Sequence, residues 1–231
     1  MKKLYLFCLI LLPLMMVSCK DDSGEFIEQY YTNAELTSAL RTCLTTAKDT
    51  ALNRLCVTDG LNGSETYRIV LPDNADFRAL TAALDSLNKS YLTDTLVNRL
   101  NRAGEQSGNA LSASFNSTIS SLTFPDPSSL VYSTTYDAAT AYFKVQCGNA
   151  MQSSATSILS EKMQSTGASA TWNEIQTAYH TANNAFFNYD ITSYTATNLL
   201  NAIYTEMAKE EKLIRTDATH ATADNLSVFK K

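Results

Sequence analysis

The chain has only two histidines, four prolines, seven glycines and one tryptophan in 231 residues. No HExxH, no CxxC and no glycine-rich phosphate loop appears, so the usual sequence signs of a metal centre, a redox dithiol or a nucleotide site are missing. Neither a metal nor a cofactor is expected. Scarce glycine and proline, against abundant Ala, Leu, Ser and Thr, disfavour a turn-rich β sandwich and favour helix. Basic charge is also short, with 18 Lys and Arg against 23 Asp and Glu, a net of −5. An acidic surface repels nucleic acid, which excludes phosphate-backbone binding as the main role. There is no internal repeat, low-complexity block or interior linker.

A signal is present at the N-terminus. Met1-Lys2-Lys3 precedes an apolar run from Leu4 to Val17. At a helical rise that run spans about 21 Å, short of the roughly 30 Å hydrocarbon core, so residues 1–18 read as a cleaved secretory signal. Met16-Val17-Ser18-Cys19 resembles a bacterial lipobox, which makes Cys19 the lipidation site and the new N-terminus. Each buried acyl methylene contributes about 0.8 kcal/mol, so a multiply acylated cysteine is a lasting membrane anchor. Lys20-Asp21-Asp22 resembles the export signal of surface-exposed lipoproteins in bacteroidete-type bacteria. The expectation is a lipid-anchored outer-membrane protein of a Gram-negative envelope, with the cell surface favoured over the periplasmic face. Residues 19–31 form the acidic tether. Loss of Lys2 and Lys3 with the signal leaves a net charge of −7.

Residues 32–231 are expected to form one all-α domain of about six to eight helices, large enough for one core. Thr32-Asn33-Ala34-Glu35 fits a capping box, followed by Leu36, Leu40, Leu44, Ala47, Ala51 and Leu55 at helical spacing. Tyr67–Pro72 reads as an extended segment packed across helices. Asp73 is the expected cap of a helix carrying Phe77, Leu80, Leu84 and Leu87. One long helix is expected from Ser90 to Leu122, with Gly104 and Gly108 allowing a neighbour to approach. Further helices are expected over 137–147, 150–164, 171–187 and 192–215, with a final turn over 224–229. Cys43 and Cys56 fall about 20 Å apart along one predicted helix, beyond disulfide reach. A bond from either to Cys147 remains open beside the reading of three buried thiols.

Several segments together resemble the bacterial family known as domain of unknown function 4197. They are Tyr67–Pro72 with its following helix, Leu100-Asn101-Arg102-Ala103-Gly104-Glu105, Asp137–Phe143, Met207–Asp217 and the terminal Leu226–Lys231. The family commonly has alanine at position 104, and glycines and an aspartate where this chain has Thr134, Thr135 and Tyr136. The resemblance implies a secreted, mainly helical protein, often a lipoprotein, and no known activity.

No catalytic residue emerges. His180 and His220 read as solvated, and no nucleophile-elbow pattern supports a triad. The candidate ligand site or structural polar network comprises Asn101, Arg102, Glu105, Glu210, Glu211, Arg215 and Asp217. Arg102 and Glu105 are neighbours on a helix, as are Glu211 and Arg215, and Glu210 points elsewhere. If the two helices face each other, fork-like arginines suited to carboxylate or phosphate come together; the alternative is an ion-pair network fixing helix register. The functional expectation is a non-enzymatic envelope module, anchored to the membrane through its lipid, that binds an envelope or extracellular protein or a small ligand. The alternatives are an envelope hydrolase around Arg102, Glu105, Glu211 and Arg215, and a structural spacer or assembly factor.

Overall fold

Thr32 opens the first helix as the sequence anticipates. Its hydroxyl accepts from the Glu35 amide at 3.3 Å, and the Glu35 carboxylate accepts from the Thr32 amide at 2.7 Å, satisfying two otherwise orphaned donors. The structure is a computed structural model that describes residues 31–229. The expected signal peptide over residues 1–18, the expected lipidation site Cys19, and Lys20, Asp21 and Asp22 lie outside the described residues.

Eight α-helices and a terminal 3-10 turn follow, without a strand among the described residues: α1 Asn33–Leu55, α2 Ala75–Ser86, α3 Tyr91–Glu105, α4 Gly108–Ser121, α5 Pro127–Val131, α6 Ala138–Ser165, α7 Ala168–Asn183 and α8 Ile191–Thr216, then Asp224–Phe229. No helix among them is long and apolar enough to cross a membrane. The centre is α1 against α8, with α6 on the other side of α8. Helices α1 and α8 run antiparallel. Arg54, near the end of α1, pairs with Glu206 inside α8, while Asn225 beyond α8 donates to Thr42 near the start of α1. Every inner-face residue expected on α1 is buried, as are Leu200, Ile203, Tyr204, Met207 and Ile214 on α8. The rings of Phe115 and Phe143 stack at 5.6 Å, with Tyr204 edge-on to both. This cluster joins α4, α6 and α8. A second aromatic cluster, in which Phe187 meets Phe77, Trp172 and Tyr179, pins α2 and α7 together.

Four boundaries differ from expectation. The 90–122 helix is two helices, because Ser107 turns back to donate from both its amide and its hydroxyl to the Gly104 carbonyl, at 3.1 and 2.6 Å. What approaches the two glycines is Leu61 at Gly104 and Cys56 at Gly108. A Cβ on either would lie 2.7 Å from the intruding atom. The expected 137–147 and 150–164 helices are one continuous α6. Gly148 faces open space there and weakens the helix without ending it. Helix α7 begins earlier and stops at Asn183, since Asn184 adopts a left-handed conformation at φ 50°, which leaves Phe187 buried in the connection. Asn74 rather than Asp73 caps α2, accepting from the Phe77 amide at 3.0 Å, and Asp73 pairs with Arg78 instead. Cys43, Cys56 and Cys147 are all free thiols, so no bond to Cys147 forms.

Candidate functional site

Each residue of the Leu100–Glu105 element has a distinct task. Leu100 and Ala103 enter the core. The Asn101 side chain accepts from the Ile69 amide at 2.8 Å and donates to the Ile69 carbonyl at 2.7 Å. One amide thereby supplies the paired bonds that a neighbouring strand would give the extended 67–72 segment. Glu105 is buried; its Oε1 accepts from the Leu61 and Asn62 amides at 3.1 and 2.9 Å, and its Oε2 from Arg102 at 2.6 Å. Gly104 leaves the space that Leu61 fills. The loop after α1 and the extended segment are thus both fastened to α3, and Arg102 remains partly exposed between them.

Fastening them builds a cleft of about 510 Å³ with three guanidinium groups in its wall: Arg68 from the extended segment, and Arg99 and Arg102 from successive turns of α3. Arg68 donates to the Asn62 carbonyl at 2.6 Å and to Asn98 Oδ1 at 2.7 Å. Arg99 donates to the Gly167 carbonyl at 3.1 Å and to the Thr171 hydroxyl. Arg102 also meets Asp59 at 3.0 Å. Gly167 has φ +76°, the left-handed region, and a Cβ there would stand 3.2 Å from the Arg99 guanidinium. Of the three, Arg102 alone has a carboxylate partner among the described residues. Arg68 and Arg99 form no ion pair among the described residues, although both are held by neutral acceptors. Since each guanidinium carries five N–H donors, oriented donors remain free on all three. Arg68 and Arg99 were not among the residues expected from sequence. Arg99 stands one turn from Arg102, a helical spacing that points to it, whereas Arg68 joins only through the fold.

The Glu211–Arg215 pair lies elsewhere, so the expected single network is two separate ones. Glu211 is fully buried and accepts from the Ala139 and Thr140 amides at 2.9 and 2.8 Å, at the start of α6. Arg215 donates two bonds to Glu211 Oε1, at 3.0 and 2.7 Å, and reaches the Val131 and Leu130 carbonyls at 2.8 and 3.0 Å. Its guanidinium also sits 4.6 Å from the Phe229 ring centre. This cluster staples α5, α6, α8 and the terminal turn. The Glu211 and Arg215 side chains are 0% and 5% exposed, and their donors and acceptors are turned on one another and on the backbone.

Glu210 is buried as well, and its Oε1 meets His220 Nδ1 at 2.8 Å, so His220 is a partner rather than a merely solvated loop residue. Asp217 ends α8 and accepts from the Thr219 amide at 2.9 Å, which holds its carboxyl below the usual range. Lys48 and Glu206 are buried polar residues that the sequence did not mark. Burial alone would raise the Glu206 pKa; hydrogen bonds from Lys209, Tyr67 and Arg54 outweigh it and pull the carboxyl down to about 2. Burial pushes the Cys43 thiol well up and, with the nearby Glu105 charge, takes Cys56 to about 12. No group of three metal-ligating side chains occurs among the described residues.

A second groove of about 720 Å³ runs between α6 and α8. Lys144 lies over the Tyr204 ring and Lys212 over the Tyr136 ring, at 5.5 and 5.8 Å. These are flexible point charges, unlike the fixed forks of the arginine cleft.

A family model described as "Protein of unknown function (DUF4197)" matches residues 30–230. No curated protein and no solved structure matches.

Proposed function

Because the chain belongs to the DUF4197 family, whose description names no activity, we propose a function from its own residues: a non-enzymatic binding module of the bacterial envelope, anchored through Cys19, that takes an anionic group in the arginine cleft. The observation that carries the binding role is the pair Arg68 and Arg99, charged, oriented by neutral acceptors and without a carboxylate partner. Charge left uncompensated beside a cavity favours an oxyanion, and guanidinium forks match its geometry. The acidic surface still opposes long polyanions, so the ligand is compact. Support for the anchor comes from the apolar N-terminal run and the Cys19 motif.

The alternative of an envelope hydrolase around Arg102, Glu105, Glu211 and Arg215 has less support, since the four do not gather at one cavity: Glu105 and Glu211 each accept from two backbone amides and an arginine in two separate networks. Calorimetric titration of inorganic phosphate into the purified full-length protein tests the binding role. Saturable binding, lost in the Arg68→Gln/Arg99→Gln variant, supports it; no heat beyond dilution refutes it. For the anchor, cells are labelled with a fatty-acid analogue: Cys19→Ala loses the label if the reading holds and keeps it if lipidation occurs elsewhere.

A further inference from the structure

Resting on the anion-site reading, the geometry points to a more specific ligand: the phosphate monoester of a sugar or similar polyol. The cleft wall holds no apolar side chain. Besides the three arginines it presents Asp59, Asn62, Asn98, Gln106 and Thr166, with Gly63. A wall of amides, a hydroxyl and a carboxylate matches a ligand rich in hydroxyl groups, which donate and accept in turn. It has no ring on which a nucleobase or a neutral sugar face would stack, and its apolar surface comes from the stems of polar side chains. Affinity must therefore come mainly from charge. The three guanidinium groups, set against Asp59 and Glu105, leave the wall net positive, and their forks offer more donors than one carboxylate accepts, which suits the three oxygens of a phosphate monoester. At about 510 Å³ the space is within the usual range for a small-molecule pocket.

The polar groups divide by role. The guanidinium groups take the phosphate. Gln106 is exposed, follows directly after α3, and makes no side-chain hydrogen bond of its own among the described residues, so it is free to meet a hydroxyl.

The test is calorimetric titration of glucose 6-phosphate, inorganic phosphate, glucose and glucuronate into the full-length protein. Glucose 6-phosphate should bind at least tenfold more tightly than inorganic phosphate, with glucuronate weaker still and glucose silent. Gln106→Ala should weaken glucose 6-phosphate severalfold and leave inorganic phosphate unchanged; as an exposed substitution it also avoids any folding defect of the arginine variants. Equal affinity for glucose 6-phosphate and phosphate overturns the polyol assignment and leaves the anion site standing. Glucuronate binding as tightly as glucose 6-phosphate overturns the phosphate assignment. Binding of none of the four overturns both readings together.

Discussion

Replacing Glu211 by glutamine perturbs a salt bridge whose two side chains are both buried. The carboxylate is 0% exposed, neutralises Arg215 (5% exposed) and accepts from two α6 amides. Glutamine keeps the shape but loses the charge, and its NH₂ group faces a donor whichever way it is turned. Stranding a buried charge in this manner costs about 3–5 kcal/mol. For a domain of this size each kcal/mol moves Tm by about 2–4 °C, so Glu211→Gln should lower Tm by about 6–20 °C. Thermal and urea unfolding at pH 7 would measure it. Glu211→Gln/Arg215→Met should cost less than the sum of its single changes, because the stranded guanidinium is gone. A loss below about 1 kcal/mol for Glu211→Gln, the range of ordinary surface changes, would refute the reasoning.

Glu206 makes stability pH-dependent. With its folded pKa near 2, below an ordinary value of 4.5, its contribution is complete above about pH 4.5 and is lost as pH falls toward 2. Since Arg54 and Lys209 are half exposed, screening limits that loss to about 2 kcal/mol, and acid titration of unfolding should be flatter in Glu206→Gln. Gly148→Ala should stabilise by about 0.5–1 kcal/mol by urea unfolding, since the added methyl meets nothing within 4 Å in the middle of α6. Gly108→Ala should destabilise, because its Cβ would lie 2.7 Å from that of Cys56 and the first position of α4 gains little from alanine. Thiol titration should find Cys43, Cys56 and Cys147 all reactive after unfolding without reductant, and Cys43 protected in the folded protein.

Local signals made much of the fold legible. The Thr32–Glu35 box and the leucine spacing of α1 rest on neighbours within a turn or two, and both stand in the structure. The sequence misled where a distant group decides the outcome. The 137–147 and 150–164 patterns looked separate because the open surroundings of Gly148 are invisible in one dimension. The 90–122 pattern looked continuous because neither Leu61 nor Cys56 announces that it will press on Gly104 and Gly108. The site follows the same division. Arg102 and Glu105 were found as helical neighbours, but the cleft needs Arg68, 34 positions before Arg102, and Arg99 is held by the carbonyl of Gly167 beyond α6. Burial of Glu206, Glu210 and Glu211 on one helix likewise could not be read from the sequence pattern, which treats glutamate as surface.

The central claim is that the arginine cleft binds a compact oxyanion, and amide NMR during phosphate titration tests it most directly. The account predicts saturable shifts at Asn62, Gly63, Asn98, Arg99 and Arg102, with Lys144 and Lys212 unmoved. Shifts confined to the α6–α8 groove, or none at saturating phosphate, would contradict it.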